Sequence, residues 1–316
     1  MTTFVRTQEV EHFIGRNGSF GLRLTSSDVE LRAVDGDTAR VRIEFELRAA
    51  SDVEADEAFA RVQFGVRKGP GSLELAEPKR GSDGRASIAG ILGIGAPRWE
   101  ANVVAEVPRR AAINYTGVSA DLRAIGLAGH QEYRTVSGDL VLSDLAGSID
   151  VNGVSSDVSL RARAPLELRA TTVSGDLSVF AARLHETRVA TVSGDVELEA
   201  DLAPEGDHRV ETVSGDLSLG IVGGLLLEVR GLSSDVHVNL PHRSEGSRDR
   251  RRYVIGDGTT QLRFSSMSGD ASVHAARRMA ASPTPPTPPT PPTPPTPASP
   301  PTPATPPTPA PSTTSP

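Results

Sequence analysis

A hexapeptide that returns about every nineteen residues constrains this chain more than any other feature. TVSGDL or a near variant ends at Leu122, Leu140, Val158, Leu177, Val196, Leu217, Val236 and Ala271. Its aspartates stand at 121, 139, 157, 176, 195, 216, 235 and 270, so the intervals are 18, 18, 19, 19, 21, 19 and 35 residues. The last interval reads as one coil plus a loop, placed in the polar stretch Pro241 to Arg252. Within one copy, Val213, Gly215, Leu217 and Leu219 share one parity, and Ser214, Asp216 and Ser218 share the other. That is the pattern of a strand with one buried face. A second strand follows in each copy, as at Ile149 and Val151, at Leu166 and Leu168, or at Leu225, Leu227 and Val229. Turn residues such as Ala146-Gly147 and Pro204-Glu205-Gly206 stand between.

Two or three short strands per copy describe one turn of a β-solenoid. Propeller blades need ~40–45 residues, and leucine-rich repeats need an asparagine ladder that is missing here. A stack of antiparallel hairpins or a sandwich is the competing architecture. Eight solenoid coils, paired backbone to backbone at ~4.8 Å, would make a rod roughly 40 Å long. The residue before each aspartate is small, at Ala120, Gly138, Ser156, Gly175, Gly194, Gly215, Ser234 and Gly269. Its parity points inward, so a crowded corner is expected there.

The expected fold is therefore all-β, a solenoid of ~19-residue coils over residues 111–277. Residues 1–110 are expected to form a β-rich cap, with strands at 20–24, 25–31 and 41–47 and alternation at 61–66, 73–75 and 99–107. Asp28 there occupies the aspartate slot. One short helix is expected over residues 51–60, capped by Ser51 or Asp52. From Ser282 the sequence is SPTPPTPPT and variants, and the last 35 residues hold 18 of the 25 prolines. Proline fixes φ and donates no hydrogen bond, so 278–316 is expected to be a disordered Pro/Thr-rich tail of polyproline II character, serving as spacer or tether.

Composition narrows the function. A net charge of −7 argues against nucleic acid, whose phosphates call for a clustered basic surface. With no cysteine there is no disulfide, thiolate metal site or thiol nucleophile. The start MTTFVRTQEVEHFIG has no basic stretch followed by an apolar run, and no span approaches the ~18 apolar residues of a membrane helix. On that reading the chain is cytoplasmic and without a transmembrane segment.

The aspartate ladder is the most suggestive chemical feature. Asp139, Asp157, Asp176, Asp195, Asp216 and Asp235 would point outward one coil apart, where neighbouring charges repel by ~0.9 kcal/mol even in bulk water. Hydrogen bonds from turn amides or nearby hydroxyls are the first explanation. A calcium-binding face is the second, and paired catalytic carboxylates, with Asp176 and Asp195 as the pair to test, are the third. The glycine-rich calcium nonapeptide is absent, and three Tyr with one Trp offer few platforms for sugar. No two of His12, His130, His185, His208, His237, His242 and His274 have metal-ligand spacing, so all are read as solvated or turn histidines. No G-x-S-x-G elbow occurs, and GIGAPR and GDGTTQ complete no phosphate loop. No catalytic residue and no cofactor are assigned. Ser247-Arg248-Asp249-Arg250-Arg251-Arg252 is read as a solvated basic loop.

The recurrent TVSGDL, together with Val104-Ala105-Glu106-Val107-Pro108 and the early SSDVEL, resembles a bacterial domain-of-unknown-function family of β-strand-repeat-containing proteins labelled putative adhesin. The resemblance covers residues 20–275, most strongly 103–275. It implies a solenoid-like repeat domain of envelope or surface proteins without an established catalytic activity, and it carries over no site residue. The expected function is a non-enzymatic, adhesin-like module presenting a polar Ser/Thr/Asp face to a protein or cell-envelope partner. A self-assembling, bactofilin-like cytoplasmic scaffold and a polysaccharide-active β-helix enzyme are the alternatives.

Overall fold

A computed structural model describes residues 2–78, 98–231, 235–247 and 250–277. The expected tail at 278–316, the small residue Ser234 and Arg248-Asp249 of the basic stretch lie outside them. Among the described residues the chain is all-β apart from one helix. It opens with β1 (Thr2–Phe13), β2 (Ser19–Arg23), β3 (Asp28–Val34) and β4 (Thr38–Ala49). The helix α1 (Asp52–Val62) follows, then β5 (Gly65–Gly69), β6 (Ser72–Ala76) and β7 (Arg98–Pro108). Ser51 caps α1 by accepting the Glu54 amide, and the Glu54 carboxylate reaches back past the cap to the Ala50 amide at 2.8 Å, a capping box displaced by one residue. Ala55, Ala58 and Val62 bury one side of the helix, and Phe59 meets Phe45 of β4 edge-on at 5.3 Å.

The repeats then wind as pairs of strands. They are β8 (Ala112–Gly117) with β9 (Leu122–Ile125), β10 (His130–Ser137) with β11 (Leu140–Ser143), and β12 (Gly147–Ser155) with β13 (Val158–Ala162). Next, β14 (Leu166–Thr171) leads into the first half of the long β15 (Leu177–Ala190), whose second half leads into β16 (Val196–Leu202). β17 (His208–Glu211) with β18 (Leu217–Ile221) and β19 (Leu225–Gly231) with β20 (Val236–Val238) continue the winding. The hairpin β21 (His242–Ser247) and β22 (Arg250–Ile255) precedes the last pair, β23 (Thr260–Ser266) with β24 (Ala271–Ala275). Each rung pairs in parallel with the next, so Tyr133 stands beside Val151 and Leu140 beside Val158. Every first strand joins one column and every second strand another. Their inward residues, among them Tyr115, Tyr133, Leu140, Leu160, Leu198 and Phe264, form a single hydrophobic core. The expected coil of about nineteen residues is thus observed with two strands per turn.

Several expectations change. Val213 does not share the buried face of Leu217: the valines of the motif are exposed, and the preceding Thr135, Thr172, Thr191 and Thr212 are buried instead. Strict alternation breaks because the chain turns a corner between the two columns, so parity cannot be carried through it. The interval before Asp270 holds no plain loop, because Arg250–Ile255 is strand β22, antiparallel to both β19 and β21. The rungs are also out of chain order. β24 pairs with both β18 and β20, and β23 with both β17 and β19, so the last rung in sequence is inserted beneath the previous one. The N-terminal segment does the same: β2 lies between β6 and β8, and β3 between β7 and β9. Arg61 and Val62 belong to the helix, not to a strand. β1, which carried no strand expectation, runs antiparallel to β4 over its whole length. At the corner between β2 and β3 the buried Glu77 carboxylate accepts the amides of Thr25, Ser26 and Ser27, satisfying the backbone donors of that turn.

Two tyrosines, Tyr115 and Tyr133, are the largest fully buried side chains of the core. The Tyr133 hydroxyl donates to Gln131 Oε1 at 2.9 Å, and Gln131 Nε2 donates to the Ala146 carbonyl. Tyr115 donates to the Ala120 carbonyl at 3.0 Å. Burial drives both phenols well above their ordinary pKa. Because the folded value is raised, these groups oppose folding only once the unfolded chain begins to ionise, so stability is intact below pH ~10 and is lost as pH climbs beyond it. Urea unfolding should therefore show a steep alkaline loss above pH ~10. Tyr133→Phe should be less stable by about 1–2 kcal/mol at neutral pH, from the stranded Gln131 oxygen, yet lose less on going alkaline.

Candidate interaction face

The corner of each rung is built from five residues. In Thr212-Val213-Ser214-Gly215-Asp216 the threonine points inward, and its hydroxyl accepts the Gly215 amide at 2.8 Å. Ser266 does the same for Gly269 at 2.6 Å. A Cβ on Gly194 would collide with the carbonyl oxygen of Gly175 one rung away, one on Gly215 with Gly194, and one on Gly269 with Gly215. The small slot thus exists because the neighbouring backbone passes directly over it, as expected from parity. One signal in the sequence went unread. Where the slot holds Ala120 or Ser156, the residue three earlier is Gly117 or Gly153 instead of threonine. A Cβ on Gly117 would strike the Tyr115 hydroxyl, and one on Gly153 would lie 2.5 Å from Ser156 Oγ. At the second of these rungs the two positions compete for one volume, which explains the exchange of Thr-x-x-Gly for Gly-x-x-Ser there.

The aspartates form one unbroken ladder. The Asp139 amide donates to Asp121 Oδ1 at 2.9 Å, Asp157 to Asp139 at 3.4 Å, Asp176 to Asp157 at 2.9 Å, Asp195 to Asp176 at 3.0 Å and Asp216 to Asp195 at 2.9 Å. Asp121 donates to Asp28 at 3.0 Å, Asp270 to Asp216 at 2.8 Å and Asp235 to Asp270 at 2.8 Å. In return, the amide after each aspartate donates to the main-chain carbonyl of the next, as from Leu177 to Asp195 at 2.9 Å. All six calcium candidates, Asp139, Asp157, Asp176, Asp195, Asp216 and Asp235, lie on this ladder, and the first five each commit one oxygen to an amide. Among the described residues no group of three or more His, Asp or Glu is disposed to hold a metal ion.

The histidines are scattered. His208, expected at the surface, is buried between the Thr187 hydroxyl at 3.2 Å and the Ala203 carbonyl at 2.9 Å. The carbonyl can only accept, so Nε2 carries the proton. His274 meets the buried Glu199 carboxylate at 2.8 Å. Arg252 of the basic stretch is paired to Glu228 at 2.8 Å.

Beside the ladder, the outward residues of the second-strand column stack in register as Ser159, Ser178, Glu197, Ser218 and Ser272, with His237 on the last rung. Of these, Ser178, Glu197, Ser218, Ser272 and His237, together with Asp176, Asp195, Asp216, Asp270 and Asp235, line a groove of about 530 Å³. Its acidic groups outnumber its single histidine, so it presents hydroxyls and carboxylates at a fixed rise to whatever lies along it.

The Toastrack DUF4097 family model matches residues 16–274, which is most of the chain. The chain belongs to that family. No curated protein matches the sequence. Among solved structures, this Toastrack chain is similar to a putative lipid binding protein from Parabacteroides distasonis at 12% identity and a TM-score of 0.46, covering 85% of this chain and 97% of that one. A putative cell adhesion protein from Clostridium sporogenes matches at 11% identity and 0.23, over 85% and 99% of the two chains. A putative adhesin from Bacteroides fragilis matches at 11% identity and 0.27, over 86% and 97%. The resemblance read from TVSGDL and SSDVEL thus led to the right kind of family.

The corner geometry makes graded demands. Gly194→Val should destabilise by about 3 kcal/mol or more, because the obstructing atom is backbone that cannot step aside. Asp195→Asn keeps an acceptor oxygen and should cost little, whereas Asp195→Ala strands the Asp216 amide and should cost about 1–2 kcal/mol. Chemical denaturation of the three variants measures this order. A rise in Tm of the wild type with added calcium would instead assign the free oxygens to a metal.

Proposed function

We propose that this Toastrack chain is a non-enzymatic, adhesin-like interaction module of the bacterial cell envelope whose Asp/Ser face takes up a partner. The observation that carries the reading is the ladder: the carboxylates repeated most faithfully are spent on backbone amides, so the repeat builds a rigid face, not a reaction centre. The residues that vary from rung to rung beside it, such as Ser178, Glu197, Ser218 and His237, are left to discriminate a partner. In this reading residues 1–110 cap one end, 111–277 present the face and 278–316 serve as a spacer.

End-to-end stacking of the bactofilin kind draws less support. A continuing stack needs parallel edges at both ends, but β1 and β5 at one end and β21 at the other run antiparallel to their neighbours.

The test combines location with binding. Full-length protein should fractionate with the envelope and bind isolated envelope material. Ser178→Arg with Ser218→Arg should abolish that binding without lowering Tm. Cytosolic filaments would favour the scaffold. Release of reducing sugar from a glycan panel, lost in Asp195→Asn, would replace the module with an enzyme.

A further inference from the structure

Among the described residues, one corner position of seven motif rungs is apolar and exposed. Val118, Val136, Val154, Val173, Val192 and Val213 are 41–48% exposed, and Met267 in the same slot is 56% exposed. None belongs to the core cluster. Their backbones pair from rung to rung, as in Ser137 to Val118, Ser193 to Val173 and Ser268 to Val213, so the side chains stack into a ridge. Seven rungs at ~4.8 Å make it about 30 Å long. Valine suits an extended corner, but methionine is not β-branched, so what Met267 shares with the other six is apolarity and not a backbone preference. A continuous apolar stripe on an otherwise polar surface marks a contact site.

We propose that this ridge is the contact between two copies of the chain, packed side by side and parallel. Pitch selects the partner: a second copy carries an apolar row with the same rise and length, so all seven rungs can engage at once. Charge selects the direction. On one side a row of serines, Ser119, Ser137, Ser155, Ser174, Ser193 and Ser214, borders the ridge, with the Asp ladder directly beyond it. Thr116, Asn152, Thr171 and Ala190, with Arg134 and Glu211, border it on the other. A two-fold axis across the rods makes them antiparallel and sets one Asp ladder against the other. An axis along the rods makes them parallel and sets each ladder against the partner's largely uncharged border. Like-charge repulsion rung after rung therefore rejects the antiparallel form. The contact is narrow: about 30 Å by ~15 Å, or roughly 450 Å² per copy, against ~800 Å² for a standard interface. Self-association is accordingly weak, with a dissociation constant of order 0.1 mM.

The chain has no cysteine, so single-cysteine probes are clean. In the full chain, Val136→Cys and Val213→Cys should each form disulfide dimers with themselves on oxidation at ~0.5 mM and not at ~5 µM. Sedimentation of the wild type should show the same concentration dependence. Val173→Asp with Val192→Asp should abolish both while leaving Tm unchanged. Cross-linking only between the two different cysteine variants would overturn the parallel arrangement. A wild type that stays monomeric at ~0.5 mM would overturn the dimer, and ridge-dependent binding to phosphatidylcholine vesicles by that monomer would hand the ridge to lipid.

Discussion

Among the described residues, each motif rung is held at its corner by a reciprocal pair of hydrogen bonds. An aspartate carboxylate takes the amide of the next aspartate, and the following amide returns a bond to that residue's carbonyl. A charge-assisted bond of this kind contributes about 1.5–3 kcal/mol, more than the ~0.9 kcal/mol by which neighbouring carboxylates repel in water. The hydrogen bonds thus offset the repulsion between neighbouring carboxylates. The same bond brings the corner backbones so close that a carbonyl occupies the space of the next rung's Cβ, which dictates Gly175, Gly194 and Gly215. The buried threonines and the exposed valines then follow, since a chain turning sharply at glycine exchanges the sense of in and out across the turn.

The outer surfaces divide along the same lines. On the first-strand column Arg169, Arg188, Arg209 and Arg263 stack in register, and carboxylates neutralise three of them. Arg188 pairs with Glu186 and Asp207, Arg209 with Glu211, and Arg263 with Asp207 and Glu228. Apart from the contact with the buried Glu228, these are exposed pairs worth ~0–1 kcal/mol each, so they silence a charge pattern more than they hold the fold. The second-strand column has serines where the first has ion pairs, which leaves its acidic ladder uncompensated. The exceptions are Asp201 and Glu197, paired with Arg183 and Arg277, and Glu199, which lies over Gly220, where any Cβ would collide with its carboxylate, and which accepts His274 and the Arg277 amide. Glu199 pins the last described residues against the sheet.

The regular part of this architecture was legible because it obeys two local rules. Leucine parity within Leu217-Ser218-Leu219 fixes one face of a strand, and constant spacing of Asp139, Asp157 and Asp176 fixes the stacking. The small residue before aspartate was legible for the same reason. What escaped is non-local. Val213 was assigned inward because parity was carried across a corner where the chain bends. Asp270 sits in the same kind of motif as Asp216, and nothing in either marks which pair of rungs it will join, so the inserted order of β23 and β24 could not be read. β22 was mistaken for loop because Arg250-Arg251-Arg252 is polar, yet it pairs along an edge where one face stays wet. His208 was misjudged because its burial depends on Gly206 clearing room for the ring.

That inserted order changes how the stack can come apart. In a sequential solenoid the terminal rung has a single neighbour and frays first, and stability falls off toward the ends. Here the last rung in sequence, β23 with β24, is covered on both sides, by β17 and β18 below and by β19 and β20 above. At the opposite end β2 and β3, the first rung, are likewise enclosed between β6 and β7 outside and β8 and β9 inside. Neither end of the repeat can peel from its chain terminus, because the terminal rung in sequence is an interior rung in space. Opening must begin at β20 or at the antiparallel strands β1, β5 and β21. Those elements carry no ladder bond onward to a further rung: the ladder ends at Asp235, beside the edge strand β20, at one end and at Asp28, covered by β7, at the other.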